Sequence, residues 1–242
     1  MIDIHSHILP CLDDGAQSVE QSLRMFRIAA NEGITEIIAT PHCYGHKKSA
    51  TPQRIQESVV QMQKELQQEN IRIRLYVGNE IYYRYGVEEE LEKGNIYTLA
   101  GSRYVLVEFH PGEDYPYILR GLNNLSCYGY SPILAHVERY ENLFAKKGRV
   151  EELKNTGVQM QINASSIVAK GFGNTYRSRA FSLIKSQIAD YVATDAHSDR
   201  HRAPFMQACE TLLQKKVGHE YTQKLLAGNA EHIVACSTKM NT

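Results

Sequence analysis

The sequence predicts an α/β fold in which parallel strands alternate with helices around a closed or nearly closed barrel. Three observations predict it. Seven short apolar runs read as strands, beginning near Ile2, Glu36, Arg74, Arg103, Pro132, Val158 and Tyr191. Segments of helical periodicity separate these runs without a break, which implies parallel pairing through right-handed crossovers. Six of the seven runs end at a histidine, aspartate or glutamate. In a parallel barrel all the C-terminal strand ends open on one mouth, so residues scattered over the chain converge there.

The first run, Asp3-Ile4-His5-Ser6-His7, leads to a helix over 17–32 with Val19, Leu23, Phe26, Ile28 and Ala30 on one side and Gly33 as its C-terminal stop. Ile37-Ile38-Ala39-Thr40-Pro41 delivers His42. Thr51-Pro52 then opens a helix as N-cap and first-turn proline, continuing through Ile55, Val59, Met62 and Leu66. Leu75-Tyr76-Val77-Gly78-Asn79 delivers Glu80, and a helix follows over 86–93. Tyr104-Val105-Leu106-Val107 delivers Glu108 before a helix over 117–128. Ile133-Leu134-Ala135 delivers His136 before one over 149–156. The run from Val158 carries no such terminal residue and precedes a helix over 176–186. Tyr191-Val192-Ala193-Thr194 delivers Asp195 and His197, and helices over 204–216, 219–226 and 230–235 end the pattern.

A chain of 242 residues, 43% hydrophobic and without a linker or composition shift, reads as one domain over 1–242. Its 27 basic and 27 acidic side chains balance, so nothing favours nucleic acid or an acidic membrane surface. No apolar run approaches the ~18 residues of a membrane span, and the first residues lack the pattern of a signal peptide. A cytoplasmic location is therefore expected. The five cysteines are widely spaced without a Cys-x-x-Cys pair, as for ordinary reduced thiols. None is followed six residues later by arginine, which excludes a cysteine-dependent tyrosine phosphatase loop.

His5 and His7 are one residue apart, and so are Asp195 and His197; on extended backbone each pair shares a face. With His42, Glu80, Glu108 and His136 they make eight candidate metal ligands. That is too many for one tetrahedral ion and suits two or three ions sharing a carboxylate. Asp14 is a candidate ninth ligand. For the loop Leu12-Asp13-Asp14-Gly15 alone, a turn with capping aspartates explains it equally well. Arg139 and Arg202, in loops after ligand-bearing strands, are candidate phosphate-binding residues. Taken singly, each also reads as a surface residue.

Together with Thr40-Pro41-His42, Gly78-Asn79-Glu80-Ile81, Leu106-Val107-Glu108-Phe109, Ala135-His136-Val137-Glu138-Arg139 and Thr194-Asp195-Ala196-His197, the opening Asp-Ile-His-Ser-His resembles the polymerase-and-histidinol-phosphatase (PHP) superfamily. More narrowly, the first ten residues, Asp13-Asp14-Gly15 and Ser102-Arg103-Tyr104 resemble its bacterial CpsB/CapC/YwqE branch of protein-tyrosine phosphatases. The resemblance covers residues 1–235. It implies a distorted (β/α)7 TIM-like barrel of the PHP type, with three divalent metals at the C-terminal strand ends. Manganese is the typical ion, with Fe, Zn, Co and Mg as other candidates.

By matching position, the resemblance implies that His5, His7, Asp14, His42, Glu80, Glu108, His136, Asp195 and His197 are ligands, with Glu80 as a bridge. Arg139 and Arg202 become the residues that hold phosphate. It also implies hydrolysis by metal-activated hydroxide of phosphotyrosine on the C-terminal tail of a tyrosine autokinase that controls capsule or exopolysaccharide assembly. Cys43 departs from the branch, where many relatives carry a polar or basic residue; beside the site, it could alter metal preference or oxidation sensitivity. Tyr44, His46, Tyr82, Tyr83, Phe109, His110, Pro111 and Tyr115 are candidates for walls around a recessed site that admits phosphotyrosine.

Three rival readings stand beside this one. They are a small-molecule phosphatase such as histidinol-phosphate phosphatase, an amidohydrolase (for which no lysine is placed to form a bridging carbamate), and a non-catalytic partner of the kinase.

Overall fold

The strands are short, parallel and largely buried on both faces, as expected when helices cover one side of a sheet and the sheet curls over the other. The computed structural model describes residues 1–45, 49–169 and 174–235. Its strands are β1 (Ile2–Ser6), β2 (Glu36–Ala39), β3 (His42–Cys43), β4 (Arg74–Val77), β5 (Glu80–Tyr82), β6 (Tyr104–Glu108), β7 (Ser131–Leu134), β8 (Gln159–Asn163) and β9 (Tyr191–Ala193). Two of the predicted runs are thus split. β2 and β3 are separated by Thr40-Pro41, where proline has no N–H for a ladder. β4 and β5 are separated by Gly78-Asn79. The Asn79 side chain fills the break, donating to Pro41 O and accepting from Tyr97 N.

Pairing runs β1-β2-β4 in one sheet and β3-β5-β6-β7-β8-β9 in the other, every pair parallel. The first and last strands then meet. A parallel bridge joins Ser6 to Ala196, His7 N donates to Ala196 O, and Asp195 N donates to His5 O. Buried Asp3 ties the same seam by accepting from the backbone and hydroxyl of Thr194. The parallel sheet is therefore curled back on itself.

The helices are α1 (Val19–Asn31), α2 (Pro52–Gln68), α3 (Val87–Glu92), α4 (Tyr115–Cys127), α5 (Glu141–Phe144), α6 (Arg149–Asn155), α7 (Ala164–Val168), α8 (Thr175–Lys185), α9 (Gln207–Val217), α10 (His219–Gln223) and α11 (Asn229–Ala235). Thr51 caps α2 as expected, accepting from Arg54 N with Pro52 in the first turn, and Gly33 follows α1 at φ +82°. The short α5 and α7 carry too little periodicity to be read from sequence. The segment expected as helix over 219–226 passes instead into a π-turn at Lys224–Gly228.

Two apolar clusters follow the strand alternation. Val105, Val107 and Leu134 join α1, α2 and α4 in the larger, outer one. Leu106, Ile133, Ala193, Ile4 and Ile38 meet one another from five strands, together with Ile233 and Val234 of α11. Side chains from strands all around the curl can meet only inside it, so this cluster fills the interior beneath the strands' C-terminal ends. No described helix is long and apolar enough to cross a membrane.

Candidate metal centre

At those C-terminal ends the structure brings all nine predicted ligands into one connected group. Glu80 Oε2 lies 3.1 Å from His5 Nε2, from His7 Nε2 and from His42 Nδ1. The other Glu80 oxygen lies 3.1 Å from His136 Nε2. Glu108 approaches His42 at 3.0 Å and His136 at 3.6 Å, and Asp195 Oδ1 lies 3.4 Å from His5 Nε2. Asp14 Oδ1 is 3.5 Å from both His42 Nε2 and His197 Nε2. All except Asp14, which is exposed, are buried or nearly so. Three sets offer donor atoms within 4.8 Å of one another: His7, Asp14, His42 and His197; His5, His7 and Glu80; and His42, Glu80 and Glu108.

Local backbone explains the aim of these groups. His136 and Asp195 adopt left-handed conformations, φ +35° and +52°, as the chain turns sharply out of its strands. Such strain costs on the order of 1–3 kcal/mol and is characteristic of functional sites. The Asp13–Gly15 loop folds against His7: Ala16 N donates to His7 O, Gly15 N donates to Asp13 Oδ1, and Asp13 Oδ2 sits 2.7 Å from His7 Nδ1. Asp13, seen in the sequence only as part of the loop motif, thus orients the His7 ring and also accepts from His42 N.

The charges interlock. Burial disfavours an ionised Glu80, yet the surrounding imidazoles outweigh it and hold the carboxyl well below its usual range. Burial likewise opposes protonation of His136, but Glu108 and Glu80 prevail and raise it to about 10. His7 is raised against burial by Asp13 and Glu80, and His42 by Glu108 and Glu80. His197 goes the other way, to about 3, through burial and the neighbouring charge of His7.

Protons therefore occupy nitrogens that a cation could take. The residues fit divalent ions: His42 Nδ1 and Glu108 Oε1 are buried 3.0 Å apart, but not aligned as a hydrogen bond. A shared ion would satisfy both. An all-nitrogen-and-oxygen donor set without thiolate suits Mn, Fe, Zn, Co or Mg.

Arg139 and Arg202 lie beside this group. Asp195 Oδ2 is 2.9 Å from the Arg202 guanidinium and 3.4 Å from that of Arg139. The predicted aromatic walls need correction. Phe109, Tyr83 and Tyr115 are buried in the outer cluster, with Tyr115 Oη donating to Glu152. Tyr44 and Tyr82 remain at the mouth: Tyr44 stacks on His42 at 4.8 Å, and Tyr82 lies 5.7 Å from Tyr44. His110 and Pro111 are exposed, and His46 lies outside the described residues. Cys43 is also buried in the outer cluster, and burial pushes its thiol pKa up. On extended β3 its side chain points to the face opposite that of His42.

Sequence reasoning missed Gln161 and Asn163, both fully buried on β8, the strand whose end carries no candidate ligand. Gln161 Oε1 lies 3.0 Å from His5 Nδ1, and Asn163 Nδ2 donates to Asp195 Oδ2 at 2.7 Å. Their spacing in Gln159-Met160-Gln161-Ile162-Asn163, polar at every second position of a strand, was the available signal.

Residues 1–235 match the family model described as "Capsular polysaccharide synthesis, CpsB/CapC". The chain is 34% identical over 238 residues to the tyrosine-protein phosphatase CpsB of Streptococcus pneumoniae, covering 97% of this chain and 98% of that one. It is 34% identical over 239 residues to the tyrosine-protein phosphatase YwqE of Bacillus subtilis, covering 98% and 93%. Among solved structures it matches one from work on YwqE and CpsB as metal-dependent tyrosine phosphatases, at a TM-score of 0.91 and 32% identity over 97% of this chain and 94% of that one. With a curled parallel sheet, a cluster of metal-ready side chains and these matches over nearly its full length, the chain belongs to the CpsB/CapC family.

Proposed function

We propose that this protein is a metal-dependent protein-tyrosine phosphatase. Its substrate is the phosphorylated C-terminal tail of a tyrosine autokinase that controls capsular or exopolysaccharide synthesis, and it acts in the cytoplasm. Residues 1–242 form one catalytic domain. Counting each split pair as a single strand, it is the distorted (β/α)7 barrel of the PHP type.

One observation carries the reading. Asp195 faces the imidazole cluster with one oxygen and both arginines with the other, so the ligands adjoin a pair of cations fit for a phosphoryl group. The names of the relatives as tyrosine phosphatases support it from a separate direction.

In this reading His5, His7, Asp14, His42, Glu80, Glu108, His136, Asp195 and His197 would hold three divalent ions, manganese in the typical case, with Glu80 central among them because it contacts four of the imidazoles. When bound, the ions supply Lewis acidity and an activated hydroxide near neutral pH. The chain's own residues do the rest. Asp13 fixes the His7 ring, so that Nε2 points to the centre. Arg139 and Arg202 grip the phosphoryl oxygens and stabilise charge as it builds on them. Tyr44 and Tyr82 flank the incoming phenyl ring. No side chain is needed as a nucleophile, so no phosphoenzyme forms.

Hydrolysis of a phosphotyrosine peptide by chelated protein, before and after Mn²⁺ is added, tests this proposal. Activity should be absent before and present after, and replacing every cysteine should leave most of it. Trapping of a phosphocysteine would overturn the mechanism. Faster turnover of histidinol phosphate than of the peptide would move the assignment to a small-molecule phosphatase.

A further inference from the structure

β8 is the strand whose end supplies no candidate ligand, yet its two buried amides touch three ligand residues from three other segments. The orientation of each can be deduced in turn. His136 N can only donate, and it donates at 2.9 Å to one terminal atom of Gln161, which must therefore be the oxygen. The same oxygen lies 3.0 Å from His5 Nδ1, so that nitrogen must carry a proton to share with it. His5 Nε2, 3.1 Å from Glu80, is then the nitrogen available to a cation. Gln161 Nε2 in turn donates to Asn163 Oδ1 at 2.9 Å, which leaves Asn163 Nδ2 to donate to Asp195 Oδ2 at 2.7 Å. Asn163 is held from behind as well, because its backbone N donates to the buried Glu138 carboxylate.

Both amides are fully excluded from solvent. A buried amide left unpaired is costly, so a strand that needed only packing would favour apolar residues here. We infer that Gln161 and Asn163 form a positioning relay that selects the His5 nitrogen presented to the metals and fixes the Asp195 carboxylate. A strand without ligands thereby governs the geometry of two of them. Outer partners of this kind typically alter metal affinity or activity 10–100-fold when removed. The inference rests on the metal-centre reading above and deepens it.

The test uses the full-length chain, chelated and then titrated with Mn²⁺ alone by calorimetry, with bound metal counted after gel filtration. Gln161→Met keeps the volume and removes the relay; it should weaken Mn²⁺ binding 10–100-fold. Gln161→Glu keeps an acceptor for His136 N and His5 Nδ1 and should recover part of that loss. Wild-type affinity and stoichiometry in Gln161→Met would overturn the inference.

Should Gln161→Met fail to fold, nuclear magnetic resonance of the wild type loaded with Zn²⁺ decides. His5 should be coordinated through Nε2 with a slowly exchanging Nδ1 proton, and coordination through Nδ1 would refute the relay. The phosphatase assignment fails separately. It fails if the wild type binds Mn²⁺ but leaves phosphotyrosine peptides intact, whatever the relay variants do to affinity.

Discussion

One carboxylate oxygen of Asp195 lies 2.9 Å from the Arg202 guanidinium, while its other oxygen faces the His5 imidazole at 3.4 Å. The same side chain thus belongs to the metal-ready cluster and to the cationic edge. In the proposed reaction Arg139 and Arg202 would turn from Asp195 to the phosphoryl group. Arg139→Ala and Arg202→Ala should each lower kcat/KM by about 2–4 kcal/mol, the usual worth of a charge-stabilising group. Metal content should not change. Steady-state kinetics beside metal analysis checks this; a variant that loses metal would place the arginine among the structural supports.

Glu80 contacts four imidazoles, so it should matter most for loading. Glu80→Ala should bind fewer ions than wild type and be inactive. His136→Ala and Asp195→Ala should lower turnover by orders of magnitude with the fold retained. Leu106→Ala, in the interior cluster, should instead cost about 2–5 kcal/mol of stability. Urea melts of the four chelated variants separate the classes, and wild-type activity in any of the three variants at the site would mean the site is elsewhere.

Metal-free protein should lose stability as pH rises. His136 is raised to about 10 in the folded state, against about 6.5 unfolded. Its contribution is complete below the unfolded value and disappears as pH climbs through the folded one. When metal is bound, those nitrogens are ligands, and cations compete better as protons leave. The gap in Tm between Mn²⁺-loaded and chelated protein should therefore widen from pH 6.5 to 9. A constant gap would contradict the charge pattern.

Tyr44 and Tyr82 stand where a substrate ring would pass. Phosphotyrosine peptides should be hydrolysed much faster than phosphoserine peptides, with little dependence on flanking sequence. Tyr82→Ala should narrow that preference chiefly through KM. Equal rates on both wild-type peptides at matched concentration would indicate a general phosphomonoesterase.

Gly15 packs where a Cβ would sit 2.0 Å from the His7 carbonyl oxygen, so Gly15→Ala must displace the loop that carries Asp13 and Asp14. Reduced Mn²⁺ affinity together with a lower Tm is expected. An unchanged titration would show that the loop can be displaced without disturbing His7.

The convergence of the ionisable candidates was legible because strands ending in imidazoles and carboxylates have no simple packing explanation, and alternation fixes their faces. The same alternation, carried one residue further, explains the misplaced aromatics. Tyr82 shares the face of Glu80 and Tyr44 that of His42, whereas Tyr83, Phe109 and Cys43 point the opposite way into the helical layer. Gln161 and Asn163 stayed hidden because neutral amides carry no charge signal, and their role depends on neighbours in β1 and just beyond the ends of β7 and β9. Asp14 could not be resolved from its loop alone; its approach to His42 and His197 depends on chain folding from two distant segments.

The seam between β1 and β9 also sets a schedule. Asp3 and Thr194, joined across it, are 191 residues apart in the chain. A growing chain on the ribosome presents His5 and His7 early, with an open sheet edge and neither Asp195 nor His197 to complete the site. Long-range pairing of this kind forms slowly, because loop closure precedes its reward. If the cluster holds metal as proposed, its capture would be a late event in biogenesis, because Asp195 and His197 join His5 and His7 only when this seam closes. A truncated product would be left without its complement of ions and with an unpaired strand exposed.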